Sequence, residues 1–567
     1  MSNQLVECVP NFSEGANKAI LNSIRQSIEK IAGVQVLDVD PGVAANRTVF
    51  TFVGDPKSVV EAAFQAIATA QQCIDMRSHQ GEHPRMGATD VCPLVPVKGI
   101  SLEECAQLAK ELGERVGREL NIPVFLYEAA ASAPHRRRLP DLRKGEYEAL
   151  AKKLGDAQWG PDFGPKQWND SVAKSGGTVI GARPFLIAWN INLNTNNQRK
   201  AEKIAAAIRH KGGYVRNEHF ELLLGEDGQP FRKPGLFPFV NAIGWTIEEY
   251  GRCQISCNML DFTKNSLEMV YDTVRKMALE EGVVVTGSEL VGLIPLEALL
   301  SAGRHYLQQA GENPGLPHHQ LLKVAIQSLG LNDLKPFDVQ QSVIEYQINP
   351  DGPLVQLTGR GFMDLLSSDA PAPGGGSVAA LCGALSASLS AMVAQLSTKI
   401  TAKNWPYAHP RPANWTQFDE CAVQAQMLKE AFLHDVDADT AAFDAMMSAM
   451  KLPKNTEEQK AHRIQAIKSA RTLAIETPLG VLQRCLATLE CVTVAMMGNP
   501  NARSDAGVAG SLVRTCAEGA WMNVRINIAD LKDQSRREAY AHQADQLLAQ
   551  VQQQCEHIFQ QIRSDFC

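Results

Sequence analysis

The chain has 567 residues, 45% of them hydrophobic and 21% charged, with a formal net charge of −7. That length exceeds one core and implies three or four compact units, while ordinary globular composition excludes bulk disorder. An acidic balance with Lys and Arg spread throughout excludes nucleic-acid binding as the main task and leaves room for a local basic pocket around an anionic ligand.

Apolar periodicity predicts strands over 5–9, 34–39, 48–53, 91–97 and 124–127. It predicts helices over 18–31, from Asp55-Pro56 onward, and over 102–120. Strand, helix, two strands, helix, strand is the order of a ferredoxin-like α+β unit, assigned to 1–177. The order recurs over 178–330: a strand-like run at 178–193, a helix at 199–209, strands at 241–245 and 254–260, a helix at 266–280, an extended 283–285 and two further helices. Residues 211–238, rich in Gly, Pro and charge, read as an insertion loop. Pro336, Pro350 and Asp351-Gly352-Pro353 mark 331–356 as a linker. Residues 357–567 read as an all-α helical bundle, so the expected fold is multidomain: two ferredoxin-like α+β subdomains followed by a helical bundle.

Between Asp369 and Lys399 there is no charge, a stretch long enough to span a bilayer. Its Ala and Ser content, Gln395 and the lack of a preceding basic anchor favour instead the central helix of a tightly packed soluble bundle, so no membrane span is expected. Thirteen cysteines without a C-x-x-C pair, the nearest being Cys253 and Cys257, point to buried thiols in a reducing compartment. The opening MSNQLVECVPNF has neither a basic nor an apolar signal region, and a cytoplasmic location is expected.

The densest polar constellation is HQGEHPRMGATDV at 79–91. His79 and His83 are four apart, a spacing that binds metal on a helix, but Gly81 and Pro84 make this a loop and no metal is expected. This segment, with ECVPNFSEG (7–15), LDVDPG, NRTVFTFVG, PDFGP (161–165), GARPFLIAWNINL (181–193) and GSELVGLIP, resembles the formiminoglutamate formiminotransferases over residues 1–330. The resemblance implies transfer of a formimino group from N-formimino-L-glutamate to tetrahydrofolate, with His83 as the catalytic histidine. The chemistry agrees, because glutamate's amine leaves only when protonated and histidine exchanges protons near neutral pH. Asp40 stabilises the amidinium charge or tunes His83, or else is a turn residue before Pro41-Gly42. Arg47 and Arg85 bind substrate carboxylates, or else form surface ion pairs. Asn190 and Asn192, on alternate strand positions, share one face and with Gly164 and Pro165 are candidates to read the pterin edge.

The segments DAPAPGGGSVAA (369–380), DADTAAFDAMMSAMKLPK (437–454) and GNPNARSDAGVAG (498–510) resemble the formiminotetrahydrofolate cyclodeaminases, which are related to methenyltetrahydrofolate cyclohydrolases. The two halves in this order match the bifunctional formiminotransferase-cyclodeaminase family. That implies a folate co-substrate, including polyglutamylated forms, a place in histidine degradation and one-carbon metabolism, and a homo-oligomer, the family forming octamers. On a helical projection Asp439 falls amid the apolar stripe of Phe432, Val436, Phe443, Met446 and Met447. A carboxyl there is paired structurally or donates the proton that ammonia needs on leaving; Asp437 is the second choice. Gly375, in the glycine run opening the uncharged helix, cradles a folate carboxylate or is a flexible cap. Asp505 serves the site or caps a helix, and Lys454 meets the glutamate tail or is solvated. Two other function classes compete: a methenyltetrahydrofolate cyclohydrolase in the C-terminal half, and a scaffold protein.

Overall fold

Val6, Cys8, Phe12, Phe50, Phe52, Cys92 and Leu94 are all fully buried on one face of a seven-stranded sheet in the computed structural model. The structure describes residues 4–42, 45–81, 84–215, 217–219, 221–225, 228–247, 251–348, 352–399, 412–529 and 531–566. The chain divides into two compact units, Met1–Pro295 with Gly330–Ile348, and Leu296–Leu329 with Asn349–Cys567.

The large sheet of the first unit contains β1 (Leu5–Cys8) with its continuation β2 (Asn11–Phe12), β3 (Val34–Gly42), β4 (Arg47–Gly54), β5 (Thr89–Lys98), β6 (Val124–Glu128) and β7 (Thr178–Ala182). Antiparallel pairing runs β3, β4, β1/β2, β5; then β7 and β6 follow as parallel neighbours. Helices α1 (Lys18–Glu29), α2 (Pro56–Cys73) and α3 (Leu102–Glu119) cover the apolar face. Each starts where its sequence supplies a cap: Asn17 for α1, Asp55 followed by Pro56 for α2, and a Ser101/Glu104 capping box for α3. Short helices α4 (Leu139–Leu142), α5 (Leu150–Lys153) and α6 (Asp170–Ser175) lie in the segment over the opposite face, where Leu142, Leu150 and Val172 pack on Val91, Phe125 and Val179.

Glu7 sits between Val6 and Cys8 and so points away from the helices. It is buried, and desolvation pushes its pKa from the ordinary 4.5 up to about 7, with Arg183 acting in the opposite direction. The unfolded chain releases this proton at lower pH than the native one, so stability falls as pH rises between 4.5 and about 7. The difference corresponds to about 3 kcal/mol. Glu7→Gln should therefore raise the melting temperature of the N-terminal unit at pH 8 and flatten its pH dependence. An unchanged or lower melting temperature at pH 8 would count against this account.

The rest of the first unit holds β8 (Ile187–Leu193), α7 (Gln198–Ile208), the two-residue pair β9 (Gly213–Tyr214) and β10 (Arg232–Lys233), β11 (Val240–Ile247), β12 (Arg252–Met259), α8 (Leu267–Glu280) and β13 (Val285–Val291). The second sheet is antiparallel in the order β11, β12, β8, β13. Trp189 is buried on its helix-facing side against Tyr271 of α8, ring centroids 5.8 Å apart.

Three segments depart from the sequence reading. Residues 178–193 are two strands in two sheets: β7 pairs with β5 and β6, so the first layer extends to Ala182 rather than ending at 177. Pro184, which has no N–H to donate, lies in the break. The helices α9 (Leu296–Gln309) and α10 (His318–Ser328) belong to the second unit, not to the second α+β half. The expected linker is structured in part: α11 (Val339–Ser342) and α12 (Ile344–Ile348) return to the first unit, where Ile294 exchanges backbone hydrogen bonds with Ser342 and Ile344.

The second unit continues with α13 (Gly359–Leu366), α14 (Gly375–Ser397), α15 (Thr416–Lys451), α16 (Glu457–Met496), α17 (Arg503–Ile528) and α18 (Gln534–Phe566). The uncharged helix α14 is central: Ala380, Ala384, Ala387, Ala391 and Ala394 share one core with α15, α16 and α17. Its small residues permit close approach; a Cβ on Gly383 would come within 2.6 Å of the Phe432 ring. Both α14 and α16 are long and apolar enough to cross a bilayer, and each buries more than half of its apolar window inside the bundle. Pro478 lies inside the continuous α16 and removes one N–H from its ladder, and Asn527 Nδ2 donates instead to the orphaned Ala474 carbonyl at 2.6 Å.

Candidate active sites

In the first unit three loops meet at the start of β4. Asn46, in the left-handed region at φ +44°, accepts from the Gly15 N–H (3.0 Å) and donates to the Gln80 carbonyl (2.7 Å). Ser13 donates to the Gly87 carbonyl at 2.8 Å. Side chains at Gly15 and Gly81 would collide with the backbone of Gly42 and Ala45, which is why the loops need glycine there. His79 lies within 3.0 Å of the Asn46 carbonyl through Nε2 and accepts from Arg85 Nε through Nδ1 (3.3 Å). A carbonyl requires a donor, so the His79 proton is on Nε2 and both nitrogens are engaged.

Beneath these loops lies Asp90, fully buried. It accepts from the Met86 N–H (3.0 Å) and from Arg143 Nη2 (2.6 Å), and pairs with Arg47 Nη1 at 3.5 Å. Arg47 also donates to Asn11 Oδ1. Burial lowers the Arg47 pKa to about 10; the Asp90 charge opposes this fall and the Arg143 charge adds to it. Asp90 and Arg143 were not anticipated from the sequence. Asp90 stands inside the GATDV motif, whereas nothing local singles out Arg143, whose partner is 53 residues away.

The other anticipated residues are dispersed. His83 lies outside the described residues. Asp40 is exposed on β3 opposite Val49, one diagonal step from Arg47; its charge adds to the desolvation that raises the Asp38 pKa. Arg85 does not present a free guanidinium: it pairs with Glu146 (3.0 Å) and Glu148 (2.7 Å), fixing its loop to the segment after α4. Gly164, at φ +82°, packs against the Ile122 backbone, and with Pro165 it lies at the start of β6. That is two strands from β5, roughly 10 Å from the Asp90 strand. Asn192 is not free to read a ligand, because it donates to Asp333 (2.9 Å) and accepts from Gln254 (2.7 Å). Asn190 is buried on the same face, opposite Ser256 and Glu289.

In the helical unit a small open pocket is lined by Gly376, Asp435, Asp439, Thr477, Pro478, Val481 and Ala520. Asp435 and Asp439 are four apart on α15 and so share a face. Asp435 is ion-paired with Arg484. Asp439 abuts the first turn of α14, so tightly that a Cβ on Gly376 would overlap its carboxyl group. Burial raises the Asp439 pKa; Ser377, through its hydroxyl and its N–H, acts in the opposite direction. The Ser377 hydroxyl has one proton and two acceptors, the Val436 carbonyl at 2.8 Å and Asp439 at 3.3 Å. The bond to Val436 is the shorter, so the hydroxyl's hold on the Asp439 carboxylate is the weaker of the two and burial remains the larger influence.

Asp437, the second choice, is occupied elsewhere: it accepts from the N–H groups of Leu354 (2.8 Å) and Val355 (3.3 Å) and anchors that segment. Gly375 opens α14, but the glycine that the site requires is Gly376. Lys454 is exposed beyond the end of α15. Lys451 is twelve positions along that helix from Asp439, about 18 Å. Asp505 is in the first turn of α17, whereas the pocket meets α17 at Ala520, about 22 Å along its axis. Neither Lys454 nor Asp505 joins Asp439. Asp435 and Arg484 were missed, although Asp435 shows the i, i+4 relation to Asp439.

Three family models match in succession: the formiminotransferase domain, N-terminal subdomain, over residues 5–183; the formiminotransferase domain over 188–349; and formiminotransferase-cyclodeaminase over 358–546. A formimidoyltransferase-cyclodeaminase of Rattus norvegicus is 41% identical over 562 residues, covering 97% of each chain. The chain belongs to the formimidoyltransferase-cyclodeaminase family. A glutamate formimidoyltransferase of Streptococcus pyogenes is 42% identical over 305 residues, 54% of this chain and 94% of that one. A methenyltetrahydrofolate cyclohydrolase of Methylorubrum extorquens is 33% identical over 204 residues, 36% of this chain and 94% of that one. The interval between the first two matches, 184–187, overlaps the break between β7 and β8.

Proposed function

We propose that the N-terminal part transfers the formimino group of N-formimino-L-glutamate to N5 of tetrahydrofolate, and that the helical bundle closes the product to 5,10-methenyl-tetrahydrofolate with release of ammonia. The observation that carries this reading is the succession of transferase and cyclodeaminase matches along one chain. In the first step N5 attacks the amidine carbon and the carbon–nitrogen bond to glutamate breaks, with His83 delivering the proton that the amine needs. Arg47 faces a substrate carboxylate, and Asp40, one diagonal step away on the same sheet face, faces the amidinium.

In the second step N10 attacks the formimino carbon, its own proton passes to the imino nitrogen, and with one further proton that nitrogen departs as ammonia. Asp439, whose acid form burial favours, gives up the proton; its carboxylate then faces the cationic methenyl group. Asp435, ion-paired with Arg484, supplies a second negative group on the same face. Each α/β half is read as ferredoxin-like, supported by its strand–helix–strand–strand–helix–strand order and by the antiparallel orders β3, β4, β1/β2, β5 and β11, β12, β8, β13. A cytoplasmic homo-oligomer using polyglutamylated folates is the setting this reading implies. The twelve described cysteines, all free thiols, support a reducing compartment.

Purified protein given N-formiminoglutamate and tetrahydrofolate should release glutamate and ammonia in equal amounts as the methenyl product forms. The cyclohydrolase relative motivates one alternative, hydrolysis in the helical unit. Glutamate without ammonia would favour it, and absence of both products would overturn the bifunctional reading.

A further inference from the structure

We propose that Arg143, together with Arg47, binds a carboxylate of the formimino donor, and that Asp90 holds the two guanidinium groups in position for it. The proposal rests on the transferase reading and adds to it a residue that sets donor specificity. Both arginine side chains are largely buried, 15% and 11% exposed, and one fully buried carboxylate serves both. Arg143 follows the buried Leu142, so its position is set by the core over β5 and β7. Its Nη2 is committed to Asp90, while its Nε is buried and has no acceptor.

Two cations that share one anion in a low-dielectric site repel each other, which the lowered Arg47 pKa also reflects. An incoming monoanion relieves that repulsion, and the planar guanidinium fork matches a carboxylate in charge and geometry. Asp90 also accepts from the Met86 N–H, so the arginine pair is tied to the loop that carries the GEHPRMG motif. The donor brings its carboxylates within a few bonds of the reacting carbon. The folate tail is separated from the pterin by a benzoyl group, so the donor is the occupant that fits a site beside this loop.

The test uses the full-length protein and the variants Arg143→Met and Arg143→Lys. Arg143→Met should raise the KM for formiminoglutamate about 10- to 100-fold, as expected for loss of a charge-assisted pair, with kcat changed far less. The KM for tetrahydrofolate should stay unchanged, as should cyclisation of supplied 5-formimino-tetrahydrofolate, and Arg143→Lys should recover part of the loss. A donor lacking one carboxylate supplies the second reading: N-formimino-4-aminobutyrate lacks the α-carboxylate and N-formimino-2-aminobutyrate the γ-carboxylate. Unmodified protein should discriminate strongly against one of them, and Arg143→Met should lose that discrimination. An unchanged donor KM, a rise confined to tetrahydrofolate, or full discrimination retained in Arg143→Met would overturn the carboxylate assignment alone. Absence of transfer by the unmodified protein would overturn the transferase reading with it.

Discussion

Asp439→Asn should reduce ammonia release from 5-formimino-tetrahydrofolate by about 10²–10⁴-fold, the range that general acid catalysis supplies, while formimino transfer continues. The substitution keeps size and hydrogen-bonding capacity, so the collar of Gly376 and Ser377 around the side chain stays filled. What it removes is a proton held where burial disfavours the charged form. Because the acid form is the reactive one, the cyclisation rate of the unmodified protein should fall as pH rises through the raised pKa of Asp439. Asp439→Asn should lose that limb of the profile. With formiminoglutamate and tetrahydrofolate supplied together, this variant should accumulate 5-formimino-tetrahydrofolate. Ammonia at the original rate would make Asp439 structural and turn attention to Asp435.

The reciprocal experiment concerns the other half. His83→Ala should lower formimino transfer by about 10²–10⁴-fold and leave cyclisation of supplied 5-formimino-tetrahydrofolate nearly intact. His79 cannot substitute, since its two ring nitrogens are engaged by Asn46 and Arg85. His79→Ala is therefore the informative control: it should loosen the loop and reduce transfer less than His83→Ala does. Near-normal transferase turnover in His83→Ala would remove His83 from the mechanism.

The elements most legible in the sequence are those whose signals are local. Alternation around Val6, Cys8, Phe50 and Phe52 and the caps Asn17, Asp55 and Ser101 identify the first layer without tertiary information. The run at 178–193 failed because it is apolar almost throughout, and periodicity cannot show that two consecutive strands enter different sheets. Among the carboxylates, Asp439 was accessible through the helical stripe, but Asp437 is spoken for by two amide groups 82 and 83 residues earlier in the chain. The same holds for Asn192, whose partner Asp333 is 141 residues away, and for Arg143 with Asp90. Chemistry assembled across such separations leaves no trace in spacing.

The path of the chain between the two compact units bears on how the two activities came to share one polypeptide. The helical pair α9 and α10 falls within the stretch matched by the formiminotransferase model, 188–349, yet it packs in the helical unit. The loop joining the pair supplies the Gly315 carbonyl to which Gln395 (2.9 Å) and Gln426 (3.1 Å) both donate. Residues Gly330–Ile348 then go back to the first unit before the bundle proper begins. A single scission cannot separate this chain into two intact partners: a cut before Leu296 strips α11 and α12 from the transferase, and one after Ile348 strips α9 and α10 from the bundle. The two units are woven rather than strung along the chain, so producing either one alone demands a rebuilt surface on at least one of them.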